Sequence, residues 1–541
     1  MVWEIFRRGR RLAWLGLACI SFCAAVNLII RDTNHELFSF LFGFLMVLSF
    51  LLLLGIFNCT ETSSSKDWSG FPYRMFTLPL PTWKLVILPM LAGLIVVELL
   101  YFGWVKLVWT HNQVVRPEWY AVILGAYVLY YQTILWSLAG FRLLRTIVLS
   151  VGGVSGFLVA ILPVFGNIAG FSPWFSEKRL MPLVIGSMPV TIAIAWSAVK
   201  QQRHGGGRRR SWLKALVEFL TDILPRRSKQ FASPAAAQFW FEWRRSGLLL
   251  TASVVFALLV MVAPLSWQLR ANKDFTMDAL CWVIGLPLAL GFLIGKGFIK
   301  PDSLSTNLSV PSFLAVRPLP AVEFVFTKLK VAALSVAITW ILVVAFAALW
   351  LFGWAETSEL SEVIYQLKIF YPHSWHAIIA LSVVAFMVLT WRFMVSGLWS
   401  GLSGSKLIYF GSIATQVIVP LLALLICAIW SKEIDQWCQR HQQLGEAGAV
   451  EVLGWILAAL VIGKVWIAMF SWRNVELRRA RYYLLLWCGS TLCATGLAVL
   501  CHPPLDTFRT ARLYVLGALL LMPIARIGIA PQSFNANRHR R

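Results

Sequence analysis

Long apolar runs, separated by short polar and basic stretches, alternate along all 541 residues of this chain. A helix needs about 20 mostly apolar residues to cross the hydrocarbon core of a bilayer. Runs of that kind lie at roughly 12–30, 37–57, 85–108, 118–140, 145–167 and 180–198. A second set lies near 246–268, 278–298, 330–354, 375–397, 406–430 and 452–471, and two more follow near 482–501 and 511–528. The pattern predicts an all-α polytopic membrane protein with about fourteen transmembrane helices. It divides into a six-helix half at 1–200, a basic linker at 201–235, a second six-helix half at 236–475, and an extra helix pair with a basic tail at 476–541.

Composition agrees, with 59% hydrophobic and only 13% charged residues. A soluble chain of this length could not bury so much apolar surface, so the bilayer is the expected solvent. The formal net charge of +24 comes from basic residues clustered between the apolar runs, and no polar domain is present to carry them. The charge therefore predicts positive-inside topology and contact with anionic membrane lipid, with no nucleic-acid partner. Arg7–Arg11, Arg142 with Arg145, the basic stretch 199–245, Lys296 with Lys300, Lys328 with Lys330, and 473–481 fall in the predicted inner loops. The acidic clusters Glu356, Glu359, Glu362 and Glu433, Asp435, Glu446, Glu451 fall in the outer ones. An even helix count then places both termini in the cytoplasm of a cell with the chain in its plasma membrane. Arg7-Arg8-Gly9-Arg10-Arg11 before the first run imitates a signal peptide, but the run continues to Ile30 without a polar cleavage region, which predicts a retained helix. Cys19, Cys23, Cys281, Cys427, Cys488 and Cys493 lie inside apolar runs and imply no disulfide framework.

Two short stretches recur at the same place in each half. Phe71-Pro72-Tyr73-Arg74-Met75-Phe76-Thr77-Leu78-Pro79-Leu80-Pro81 matches Val310-Pro311-Ser312-Phe313-Leu314-Ala315-Val316-Arg317-Pro318-Leu319-Pro320, with a constant offset of 239 residues. Each follows two apolar runs and leads into a third. Proline lacks a backbone N–H and fixes φ, so Pro79-Leu80-Pro81 and Pro318-Leu319-Pro320 should end one segment and start the next helix in a set direction. Two further landmarks keep the same order: Trp3-x-x-Phe6-Arg7-Arg8 with Trp240-x-x-Trp243-Arg244-Arg245, and Leu135-Trp136-Ser137 with Leu398-Trp399-Ser400. Together they argue for internal duplication. Between the halves, Gly205–Arg210 is a flexible basic linker, and Ser211–Leu224 has the spacing of an interfacial amphipathic helix.

This layout resembles the ABC-2 type permeases, the membrane part of ATP-binding-cassette exporters. The resemblance spans roughly 1–200 and 236–475. In that family each half has an interfacial elbow, two helices, a cytoplasmic loop and four more helices. The loop carries a coupling element that docks on the ATPase and often ends in a Leu-Pro-rich turn. The resemblance thus implies ATPase-coupling elbows at Pro72, Arg74, Leu78, Pro79, Leu80 and Pro81, and at Pro311, Arg317, Pro318, Leu319 and Pro320. Family members usually carry one half per chain; here both are fused, and the last two helices have no counterpart. A P-loop needs Gly-x4-Gly-Lys-Ser/Thr to cradle phosphates. The Gly-Lys pairs are Gly295-Lys296-Gly297, with Leu290 in place of the first glycine, and Gly463-Lys464-Val465. The chain is accordingly expected to be no enzyme and to hold no cofactor, with ATP hydrolysed by a separate cytoplasmic ATP-binding-cassette subunit.

Other residues carry weaker signals. Glu98 sits well inside the third run, where an ionisable group is costly; it is a candidate intramembrane polar site or a structural carboxyl. His373-x-x-His376 and Cys438-x-x-His441 offer two ligands each where a stable zinc site wants three or four, so no metal is expected. Asn58-Cys59-Thr60 and Asn307-Leu308-Ser309 match the glycosylation pattern on the predicted inner side. Asp32 and Glu36 in the first outer loop are the sole support for a membrane glycosyltransferase. A secondary transporter or lipid-linked oligosaccharide flippase of about fourteen helices is the alternative to an ATPase-driven exporter. Nothing in the sequence separates a lipid, drug or glycan substrate.

Overall fold

A computed structural model describes residues 61–63, 68–107, 117–141, 144–153, 155–156, 177–204, 231–268, 275–298, 308, 320–353, 357–370, 372, 375–405, 407–409, 411–412, 445–472, 477–501, 507–523 and 526–538. Helical positions between 14 and 25 are described as well. The chain is an all-α polytopic membrane protein. Among the described residues the sole strands are a pair of three-residue antiparallel ones, Glu61–Ser63 against Trp68–Gly70. Thr82–Leu107, Arg179–Arg203, Pro234–Val262, Ala279–Gly297, Ala321–Gly353 and Trp375–Leu402 are long and apolar enough to cross a membrane. Their outward faces carry bare apolar side chains, such as Leu349 and Phe352, which suit a hydrocarbon solvent.

The described residues form two compact units, one before and one after the break at Phe231. In the first unit, the Pro117–Ser137 helix packs against both Thr82–Leu107 and Glu177–Arg203. From Trp119 to Ser137 it has no exposed position. Tyr120, Tyr127, Tyr130, Tyr131, Gln132 and Thr133 give this enclosed helix a run of polar groups. Gly153 and Gly156 lie where a Cβ would meet Tyr127 at 3.2 and 3.0 Å, so the short helix Leu144–Gly153 and the residues after it approach that ring closely.

The second unit is built around Ala321–Gly353, a 33-residue helix. Thr251 from the Pro234–Val262 helix meets Thr339 at 3.0 Å. On another side the Trp340 indole donates to Thr390 at 3.0 Å. Hydroxyl pairs of this kind join helices where apolar contact gives no preference over lipid. Phe275–Gly297 crosses Trp375–Met394 so closely that a Cβ on Gly295 would lie 2.3 Å from the Phe393 carbonyl. Gly295 in the Gly-Lys-Gly stretch is therefore a helix-crossing residue.

The apolar runs and the helices differ in instructive places. The ninth helix starts at Ala321, not near 330, so Lys328 is a fully buried helix residue and no loop cation. The Trp-Arg-Arg segment before the seventh run is part of a helix that begins at Pro234 and continues without a break, through π-helical turns at Trp243–Gly247 and Leu258–Val262. Within 355–374, predicted as a loop, Ser358–Phe370 is helical. The last apolar run is split at Met522-Pro523 into Thr507–Leu521 and Arg526–Arg538. Proline cannot continue the hydrogen-bond ladder.

Candidate functional site: the first elbow and the helix it opens

Phe71–Pro81 is a folded, stapled turn. Pro72 is buried and precedes a one-turn helix, Tyr73–Phe76, whose Met75 amide donates to the Pro72 carbonyl at 3.0 Å. Phe71 is fully buried; its ring stacks on Phe76 and meets Trp136 edge-on, each with centroids 5.3 Å apart. The Leu80 amide then donates to the Leu78 carbonyl at 2.8 Å, a three-residue turn centred on Pro79. Proline's fixed φ suits that geometry. Pro81 opens the next helix, its carbonyl accepting from the Lys84 and Leu85 amides at 3.0 and 3.4 Å. Thr82–Leu107 begins at once, as the proline chemistry predicts.

The far end of Glu177–Arg203 locks this turn. Arg203 donates to the Leu80 carbonyl at 2.7 Å, to the Thr82 hydroxyl at 3.2 Å and to the Leu78 carbonyl at 3.4 Å. Gln202 accepts from the Phe71 amide at 3.2 Å and donates to the Trp136 carbonyl. Guanidinium offers five donors in a rigid fork, which fits three acceptors spread over one turn. The elbow thus ties together the ends of three helices. Tyr73, Arg74, Thr77, Pro79 and Pro81 remain exposed on its outside, with Leu78 and Leu80 half-buried.

Glu98 lies four turns further along the helix that the elbow starts. It makes no hydrogen bond or ion pair among the described residues. Its carboxyl lies over Gly125 of the enclosed polar helix, where a Cβ would be 2.9 Å from Oε1 and 2.7 Å from Leu94. Met188 of the third helix approaches the same glycine at 3.9 Å. Nearby, Tyr130 and Ser187 share a hydroxyl hydrogen bond, and Thr133 donates to the Thr191 carbonyl at 3.3 Å.

In the second half, Pro320 accepts from the Phe324 amide at 3.1 Å and opens Ala321–Gly353 as Pro81 opens its helix. Pro311, Arg317, Pro318 and Leu319 lie outside the described residues, as do Asp32, Glu36, His373, Cys438, His441 and the 211–224 stretch. His376 packs its ring on Trp375 at 3.4 Å, and among the described residues no cluster of metal-ligating side chains occurs.

Sequence reasoning missed a buried ion pair here. Glu242 and Lys328 are both wholly buried and paired, with Gln238 donating to Glu242 at 2.9 Å and Lys328 reaching the Phe298 carbonyl at 3.4 Å. It also missed a cap on Thr507–Leu521: Lys464 donates to the Leu519, Leu520 and Met522 carbonyls at 2.6, 3.0 and 2.7 Å, and Arg392 to Leu520 at 2.6 Å. Cations at a helix C-terminus satisfy carbonyls that the ladder leaves open. An isolated lysine inside an apolar run was the one available signal. Comparison with family models, curated proteins and solved structures finds no match to this chain.

Proposed function

We propose that this membrane protein is the transport subunit of an exporter of the ABC-2 permease type, powered by a separate ATP-binding-cassette ATPase that docks at the cytoplasmic elbows. The observation that carries the reading is the Arg203–Gln202 lock. A partner pressing on Tyr73 and Arg74 would move a stapled turn, and the turn has no slack before Thr82–Leu107 begins. The same push reaches Glu177–Arg203 through its last residue, so two helices flanking the polar helix shift together. The Lys/Arg asymmetry between the apolar runs supports placing the elbows and both termini on the cytoplasmic side of the plasma membrane. ATP binding and hydrolysis belong to the partner, since this chain lacks a phosphate-cradling glycine loop.

A photo-crosslinking amino acid at Arg74, in the full chain expressed in its own cells, tests this. The expected adduct is a polypeptide bearing a Walker-type P-loop, formed from the cytoplasmic side and lost when the probe is moved to the lipid-facing Leu99. Adducts that never contain such an ATPase would overturn the reading. The runner-up, an ion-driven transporter, is favoured by the unpaired Glu98 and would show substrate movement in proteoliposomes under an ion gradient alone.

A further inference from the structure

We propose that the junction of Thr82–Leu107, Pro117–Ser137 and Glu177–Arg203 binds a lipophilic organic cation, with Glu98 as its counter-charge. The inference deepens the transport reading by naming a substrate class, and it rests on that reading for its role but not for its binding.

A carboxyl group inside an apolar span has few stable options. It can hold a proton, pair with a cation of the protein, or receive a cation from outside. Elsewhere in the described helices such charges find partners: the buried Glu242 has Lys328, and the half-buried Lys464 and Arg392 have helix carbonyls. Glu98 has no such partner among the described residues, although two helices flank it. The Glu98 carboxyl is also given room. Gly125 supplies the gap over which it lies, on a helix that is otherwise crowded on every side. An alanine there would push against both Oε1 and Leu94, so the glycine is needed for the approach.

The surroundings suit a cation with apolar substituents. Tyr101, a buried ring, lies one turn from Glu98 on the same helix. Aromatic faces attract cations through their quadrupole, more strongly where water is excluded. Leu94 and Met188 add apolar contact from two of the helices. Glu98 itself is half-exposed and sits at the edge of the buried face of its helix, beside the exposed Leu91, Ile95 and Phe102. A ligand dissolved in the bilayer could therefore reach it sideways. A small hydrated ion would want a ring of oxygens, and among the described residues no cluster of three or more His, Cys, Asp or Glu side chains surrounds Glu98.

The test uses the full chain in phosphatidylcholine nanodiscs, without any ATPase. Tetraphenylphosphonium and tetraphenylborate have nearly the same size and opposite charge, and their binding is measured by equilibrium dialysis. Both ions are counted as binding in excess of protein-free nanodiscs, since the membrane dipole potential draws the borate into lipid. The wild-type chain should show such excess for the phosphonium, and Glu98→Gln should weaken it by about tenfold or more without lowering the excess for the borate. Gly125→Ala should weaken it too. A wild-type measurement guards against misfolded variants: dicyclohexylcarbodiimide should modify Glu98, and tetraphenylphosphonium should protect it. Equal binding of the two ions, phosphonium binding untouched by Glu98→Gln, or carbodiimide labelling without protection would each overturn the proposal. Failure here would leave the docking of an ATPase at Arg74 untouched, and the crosslinking result leaves this one untouched.

Discussion

Lys328 and Glu242 show what a single pair of residues can decide inside a membrane protein. Removing both from water costs several kcal/mol per ion, and that cost is offset only by good geometry and further hydrogen bonds. Gln238 and the Phe298 carbonyl supply those bonds, and the Lys328 ammonium also lies over the Phe298 and Phe324 rings at 5.2 and 5.8 Å. Lys328→Met would leave the Glu242 carboxylate buried without its cation, a loss of about 3–5 kcal/mol. Adding Glu242→Gln should recover much of it. Thermal unfolding of the two single variants and the double variant in detergent gives the coupling; additive losses would mean that the pair does not act as a unit. Nothing local in the sequence announced this pair. Lys328 and Lys330 look alike in a count of inner-loop cations, yet one is buried and the other exposed. Its partner lies 86 residues earlier, beside Arg244 and Arg245, where a lone acid reads as part of a basic surface. Glu98 was legible for the opposite reason: an ionisable side chain in a long apolar run stands out without any knowledge of its neighbours.

At the scale of elements, the start of a helix is a local event and the sequence shows it. Pro81 and Pro320 each open a long helix because a proline carbonyl can accept while its nitrogen has nothing to donate. Whether such a turn can transmit force depends on what holds it from outside, and Arg203 stands more than 120 residues away. Arg203→Ala would remove three hydrogen bonds from the elbow and free Leu78 and Leu80 to move independently of Glu177–Arg203. Pro79→Gly with Pro81→Gly would loosen the same joint from within. Both changes remove no apolar area from the membrane, so expression and insertion should stay near wild type. Under the exporter proposal, substrate efflux should fall several-fold while crosslinking of the proposed ATPase at Arg74 persists. Efflux and crosslinking are measured on the same well-expressed chains, and wild-type efflux in both variants would show that the lock couples nothing. The enclosed Pro117–Ser137 helix was harder to read. Its tyrosines count as apolar in a run of residues, and only packing shows that no position from Trp119 to Ser137 is exposed.

For the molecule as a whole, the last residues are bound into the second unit in a way that helix counting cannot show. Arg526–Arg538 presents Ala530, Phe534 and Asn537 on one buried stripe. Phe534 stacks on Phe324 at 4.5 Å, just inside the start of Ala321–Gly353, and Asn537 donates to the Leu308 carbonyl at 2.8 Å. Gly404, with φ of +69°, turns the chain so tightly against Asn537 that a Cβ would lie 2.3 Å from its Oδ1. Lys464 and Arg392 hold the preceding helix from two further directions. Arg526–Arg538 therefore packs on residues that flank the second proline stretch, Leu308 before it and Phe324 after it. An L-residue at Gly404 would meet both backbone strain and the Asn537 amide, so Gly404→Ala should cost about 2 kcal/mol, and Asn537→Ala about 1–2 kcal/mol from an orphaned buried carbonyl. Limited proteolysis of the membrane-bound chain would locate the effect. Cleavage should rise within 308–412 and 526–538, while the first unit, held by its own Arg203 lock, keeps its wild-type pattern. If both units loosened together, the two would not be separate bodies in their response. If neither did, the tail helix would merely rest on the surface that these contacts define.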